Sequence, residues 1–187
     1  MAASRKKSAS TPAVLTNSAA TYYTVPTATQ AKDITFTNAP AQVYFSPRGG
    51  CTEAIVEALG KAKSEVLVQA YSFTSKEIAK ALLDAHKRGV HTEIILDKSN
   101  KTGKYSAGDF TAHAGIPSYI DSAHSIAHNK IIIIDSETVL TGSFNFTKAA
   151  EEKNAENLLI IKSKDLAKEY IQNWERHKRH SEVYRGR

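Results

Sequence analysis

Apolar residues along this chain follow two periods, and each switch between them marks a new element. Gln42 to Ser46 reads as a strand, halted by Pro47 and the Gly49-Gly50 pair. Ile55, Leu59 and Ala62 then recur at helical spacing, which predicts an amphipathic helix over about 51–63. Glu65 to Phe73 is the next strand. Thr74 and Glu77 form a capping box, in which hydroxyl and carboxylate each satisfy an orphan amide. The helix behind them buries Ile78, Ala81, Leu82 and Ala85 and stops at Gly89. A third strand spans 90–97. Strand–helix–strand–helix–strand with Val/Ile/Leu-rich strands predicts an α/β fold, a mixed, largely parallel sheet with helices on both faces.

The second half is less regular. Ser99 to Gly108 is a polar loop that carries Lys101 and Lys104 and follows Lys98; it is either a solvated turn or a contact for a polyanion. A short helix near 109–114 and a strand at 118–121 follow. Residues 128–135 and 138–144 then pattern as two antiparallel strands joined by a tight turn at Ser136-Glu137, and 156–161 as a further strand. Ser163 caps a last helix with Leu166, Tyr170, Ile171 and Trp174 on one stripe, and a basic, frayed tail is expected after it. Residues 1–31, rich in Ala, Ser and Thr, read as a flexible leader, and 32–187 as one folded domain. No internal repeat is visible.

Composition narrows the classes. No apolar run approaches the roughly 18 residues of a membrane helix, and no long apolar stretch follows Arg5, Lys6 and Lys7, so an intact secretory signal is not expected. The single cysteine, Cys51, excludes an internal disulfide and a cysteine-based metal site, and reads as a small apolar residue at a helix start. The net charge of +6 lies in the tails: residues 1–20 carry +3, 162–187 carry +4 and 21–161 carry −1. That is compatible with nucleic acid without defining a basic binding face.

The chemistry is concentrated in 128–145. Alternation along a strand puts His128 and Lys130 on one side and Asp135 on the other. Ser143 and Asn145 share a side of the strand expected to pair with the first. A hairpin could therefore set an imidazole beside three phosphate-binding groups, while Asp135 is left to hold the turn. Neutral imidazole is a nucleophile, and lysine and amide donors stabilise charge on phosphoryl oxygens. Metal-assisted hydrolysis would need several carboxylates or histidines together, and this stretch offers none. Covalent phosphoryl transfer is the natural reading.

His128-x-Lys130-(x)4-Asp135-(x)6-Gly142-Ser143-x-Asn145 resembles the signature of the phospholipase D superfamily at every element. Ala70 to Ser75, Gly142 to Ala150 and the segment from Lys153 to Asn157 look like the small bacterial Nuc-type endonuclease branch. The resemblance covers about 40–180. It implies a phosphodiesterase with no cofactor and no metal at the phosphate. His128 would be the nucleophile, Lys130 and Asn145 would hold the phosphate with Ser143 in support, and Glu156 would orient His128. Gly142 and Asp135 would be structural. Larger family members carry the motif twice in one chain, so one copy here implies a homodimer with a single active site across its two-fold axis. A bacterial periplasmic or secreted location is what the resemblance favours.

Three functions follow. One is a metal-independent, non-specific endonuclease acting on DNA, and on RNA as a further substrate, through a phosphohistidine. The second is a phospholipid phosphodiesterase, disfavoured by the want of an apolar surface helix, so that membrane lipid is the weaker partner. The third is a non-catalytic nucleic-acid-binding module. Of the remaining histidines, 86, 91, 113, 124, 177 and 180 read as surface or helix-face residues, with His124 close enough to line the cleft. Tyr71 and Phe73, at a strand end, could border the site, with core packing the better reading.

Overall fold

The computed structural model describes residue 31 and residues 33–187; the leader expected over 1–31 falls, but for Ala31, outside the described residues. The elements are β1 (Ala41–Ser46), α1 (Cys51–Gly60), β2 (Glu65–Ala70), α2 (Lys76–Lys87), β3 (His91–Asp97), α3 (Gly108–His113), β4 (Ser118–Asp121), β5 (Lys130–Ile134), β6 (Thr138–Gly142), α4 (Lys148–Glu152), β7 (Glu156–Lys162), α5 (Lys164–His180) and β8 (Glu182–Tyr184). They form an α/β fold around one mixed sheet of eight strands in the order β1-β7-β6-β5-β2-β3-β4-β8.

Among the named strands, only β2–β3 and β3–β4 pair in parallel. The expected parallel majority is absent for a topological reason. β2, β3 and β4 follow one another through α2 and α3 and lie parallel, whereas β5 turns tightly into β6, β7 returns after α4 to pair antiparallel with β6, and β1 adds antiparallel to β7. The two halves meet at the antiparallel β2–β5 seam, where Ala70 stands opposite Lys130.

Both faces of the sheet are covered. Val66, Val68, Ile132, Ile134 and Leu140 pack under α1 and α2 with Ile55, Leu59, Ile78 and Leu82. Leu67, Ile95, Ile131, Ile133 and Val139 pack against Ala167 and Trp174 of α5. The four-isoleucine run thus serves two cores in alternation, as a doubly buried strand must. Trp174 also donates from Nε1 to the Val68 carbonyl at 2.9 Å, tying α5 to the central strand.

Several local expectations need correction. The α2 cap is Ser75, not Thr74: the Ser75 hydroxyl accepts from the Ile78 amide and donates to Glu77. The amides of Thr74 and Ser75 both donate to the Phe146 carbonyl, which fixes this turn onto the segment after β6. The β5–β6 turn centres on Asp135-Ser136 rather than Ser136-Glu137, with both residues at φ 54, a region aspartate tolerates better than most residues. The tail is not frayed over 182–184. It pairs there with β4, and Asp109 accepts hydrogen bonds from Tyr184 and Arg187. Cys51 is a fully buried residue at the start of α1, its thiol pushed up to about 11 by burial and by Glu151. Among the described residues, no helix is long and apolar enough to cross a membrane.

Candidate active site

Lys130 opens β5, and His128 and Asn129 lie in the loop just before it. This loop is held on both sides: the Tyr71 amide donates to the Asn129 carbonyl at 2.9 Å, and the Ala127 amide donates to Asp97 Oδ2 at 2.8 Å. His128 therefore emerges where the ends of β2, β3 and β5 come together. Its ring packs against Tyr71 with centroids 4.5 Å apart. Of the two places the sequence allowed Tyr71, core packing, the favoured one, is corrected: the ring borders the candidate nucleophile. Phe73 is fully buried, as expected.

Lys130 is only 7% exposed. Its ammonium donates to the His128 carbonyl at 2.7 Å and sits 5.2 Å from the centre of the Tyr71 ring. Among the described residues, no carboxylate lies within ion-pair distance of it. Burial pulls its pKa below the ordinary lysine value, with the charge of Glu156 opposing that shift. A desolvated cation with a carbonyl and an aromatic face for company is an incomplete arrangement, and an anion would complete it.

Ser143 and Asn145 follow β6 and alternate with Phe144 and Phe146, whose rings fill the core under α1 and α2. No hydrogen bond joins either of them to His128 or Lys130. Ser143 Oγ accepts from the Asn157 amide at 3.1 Å and from its side chain at 3.3 Å. The Asn145 side-chain oxygen is buried without a hydrogen-bond partner among the described residues. Glu156 Oε1 accepts from Asn154, and no hydrogen bond links Glu156 to His128 within the protomer. Gly142 is held at φ 150, and a Cβ there would lie 2.3 Å from the Asn157 carbonyl, so β7 can approach this closely only with glycine present. Asp135 lies at the other end of β5, where its carboxylate accepts from the amides of Lys63, Ser64 and Glu65 and from the Ser64 hydroxyl.

His128, Asn129 and Lys130 line an open cavity of about 450 Å³ whose other wall is α5, through Tyr170, Asn173 and Arg176. The α5 contribution was not legible in the sequence, where Tyr170 counted only as part of the stripe expected to pack into the core. Of the loop lysines, Lys98 donates to the His124 carbonyl and Lys101 pairs with Glu182, so two of the three are engaged within the fold.

Three of the histidines read as surface or helix-face residues do not simply face solvent. His124, His177 and His180 converge on Asp121, which is fully buried. Burial alone would raise the Asp121 carboxyl, but hydrogen bonds from His177 and His124 outweigh it and hold the carboxyl well below the usual carboxylate range. The available signal was a double i, i+3 spacing, Asp121 with His124 and His177 with His180, split over 50 residues of chain.

The sheet, its two helical layers and the single motif at the end of β5 are those of the phospholipase D superfamily. Residues 55–178 match the family described as "Cardiolipin synthase, PLD-like domain", and the chain belongs to that superfamily as a Nuc-type member. A protein called phospholipase D from Rickettsia typhi is 47% identical over 130 residues, which make up 70% of this chain and 64% of that protein. A mitochondrial cardiolipin hydrolase from Xenopus laevis is 33% identical over 122 residues, 65% of this chain and 58% of the frog protein. The chain thus spans less than two thirds of these curated relatives. The crystal structure of the phospholipase D family member Nuc from Salmonella typhimurium superposes with a TM-score of 0.77 at 41% identity, covering 80% of this chain and all of that one. NucT from Helicobacter pylori, at 22% identity and a TM-score of 0.72, shares the fold.

Proposed function

We propose that this chain is a phosphodiesterase that cleaves nucleic acid internally, DNA first of all, through a covalent phosphohistidine. The observation that carries this reading is Lys130, a buried ammonium beside His128 with no carboxylate partner among the described residues, poised for a phosphoryl oxygen. Superfamily membership and the full-length likeness to Salmonella Nuc support it.

The chain carries one motif, so the reading pairs two copies about a two-fold axis. The imidazole of one His128 attacks phosphorus, and the bond to the leaving oxygen breaks. That oxygen takes its proton from the imidazolium of His128 in the second copy. The same second imidazole then accepts a proton from water, whose oxygen attacks phosphorus and breaks the P–N bond. Lys130 and Asn145 hold the non-bridging oxygens, Ser143 supports them, and Glu156 orients a His128. Since Glu156 makes no bond to His128 within one protomer, that last contact belongs across the two-fold.

The test is plasmid cleavage by the purified protein in EDTA, beside His128→Ala. We expect cleavage without added magnesium and its loss in the variant; cleavage only on adding magnesium overturns the mechanism. A lipid reading is favoured by the names of the curated relatives, phospholipase D and cardiolipin hydrolase. Phosphatidic acid release from phosphatidylcholine or cardiolipin vesicles, with DNA left intact, would select it instead.

A further inference from the structure

We propose that Asp121, His124, His177 and His180 form a structural site for one divalent transition ion, zinc by its chemistry, which clips the end of α5 to β4 and to the loop that carries His128. One ligand atom from each residue lies within 4.8 Å of the other three. The edges that meet at the carboxylate are short: Asp121 Oδ2 is 2.7 Å from His177 Nδ1 and 3.3 Å from His180 Nε2, and His124 Nδ1 is 3.1 Å away. Ligands at about 2.0–2.1 Å from zinc make a tetrahedron with edges of about 3.3–3.4 Å. The carboxylate edges are therefore near their final length, and only the edges between imidazoles have to close.

The setting suits an ion better than three packed rings. Asp121 is fully buried, and the side chains of His177 and His180 are 14% and 11% exposed. His180 turns Nε2, the nitrogen that would take the ion, toward Asp121, and its other nitrogen, Nδ1, is buried with no hydrogen-bond partner among the described residues. The three rings crowd together with centroids 4.8 to 5.3 Å apart. Three imidazoles and a carboxylate favour zinc, cobalt or nickel over magnesium or calcium, which prefer oxygen ligands throughout. Four protein ligands leave no open position, as in sites that hold structure and not substrate.

The sequence builds the cluster from two short pieces. Asp121 ends β4 and His124 follows it by three residues, while His177 and His180 are one turn apart on α5. β4 stands three strands from β5, roughly 14 Å at about 4.8 Å per strand, so this ion would not touch the phosphate. It would act through the 122–129 loop, already pinned by Lys98 to the His124 carbonyl and by Ala127 to Asp97, and would thereby position His128.

The experiment uses tag-free full-length protein equilibrated with zinc, gel-filtered and analysed by elemental mass spectrometry. We expect about one zinc per chain, a rise of several degrees in the unfolding temperature over chelated protein, and tetrahedral cobalt absorption saturating at about one equivalent. His177→Gln and His180→Gln should lose all three signals, while His86→Gln keeps them. His128→Ala should keep its zinc while losing cleavage, which separates this site from the proposed reaction. Substoichiometric metal with no thermal shift in the wild type would overturn the site, and the cluster would then be a hydrogen-bonded one only. Stoichiometric zinc retained by a folded His180→Gln protein would overturn it as well.

Discussion

The ring of Tyr71 lies 4.5 Å from that of His128 and 5.2 Å from the Lys130 ammonium, so one side chain just past the end of β2 braces both candidate groups at the start of β5. Removing the ring should let the imidazole turn and leave the lysine against a void. Tyr71→Ala is expected to lower the turnover number for plasmid cleavage by about 10- to 100-fold, the scale of a misplaced reacting group. Tyr71→Phe keeps the face and should retain most of the activity. Equal losses in the two variants would assign the role to the hydroxyl instead.

Lys130 should separate stability from activity. Its burial disfavours the charged form, so Lys130→Met removes a desolvated ammonium and keeps the apolar stem. Turnover should fall by roughly 10²- to 10³-fold, as when a preorganised charge at the transition state is lost. The unfolding midpoint should stay level or rise. The sign also fixes a pH dependence. A lysine whose folded pKa is depressed costs stability while both states are protonated, and the cost fades as pH rises through the folded pKa toward 10.5. Wild type should therefore gain on the variant in urea titrations taken between neutral and alkaline pH.

Asp135 acts in the opposite direction. Burial would raise its carboxyl, but hydrogen bonds from Ser64, Glu65 and Lys63 outweigh burial and hold it below the ordinary 3.8. The stabilisation is complete above that value and is lost as pH falls through the lower folded pKa. Asp135→Asn should cost about 1.5–3 kcal/mol at neutral pH, the range for hydrogen bonds to a charged group. The gap between variant and wild type should narrow below about pH 3.8. A gap independent of pH would mean that the turn conformation at φ 54, and not the charge, is what the aspartate supplies.

The strands and most helices were legible because burial writes its period into the sequence. Ile131 to Ile134 announced a strand buried on both faces, and Leu166, Tyr170, Ile171 and Trp174 announced a helix stripe. Strand order was not legible: nothing in Gln42 to Ser46 says that it pairs with β7 at the sheet edge. The motif marked His128 and Lys130, since their spacing is local. Tyr71 was ranked as packing rather than as a site residue because its partner is 57 residues away and a tyrosine at a strand end looks like core. The Asp121 cluster was missed for the same reason, its two halves being silent until α5 folds back along the sheet.

The β2–β5 seam gives the site an unusual dependence on the whole molecule. Ala70 and Lys130 are neighbours across it although 60 residues apart in sequence, and the seam joins the parallel half of the sheet to the antiparallel half. His128 and Lys130 belong to one half and Tyr71 to the other. Neither half alone contains the pair, so the distance between these rings reports whether the two halves of the sheet are in register.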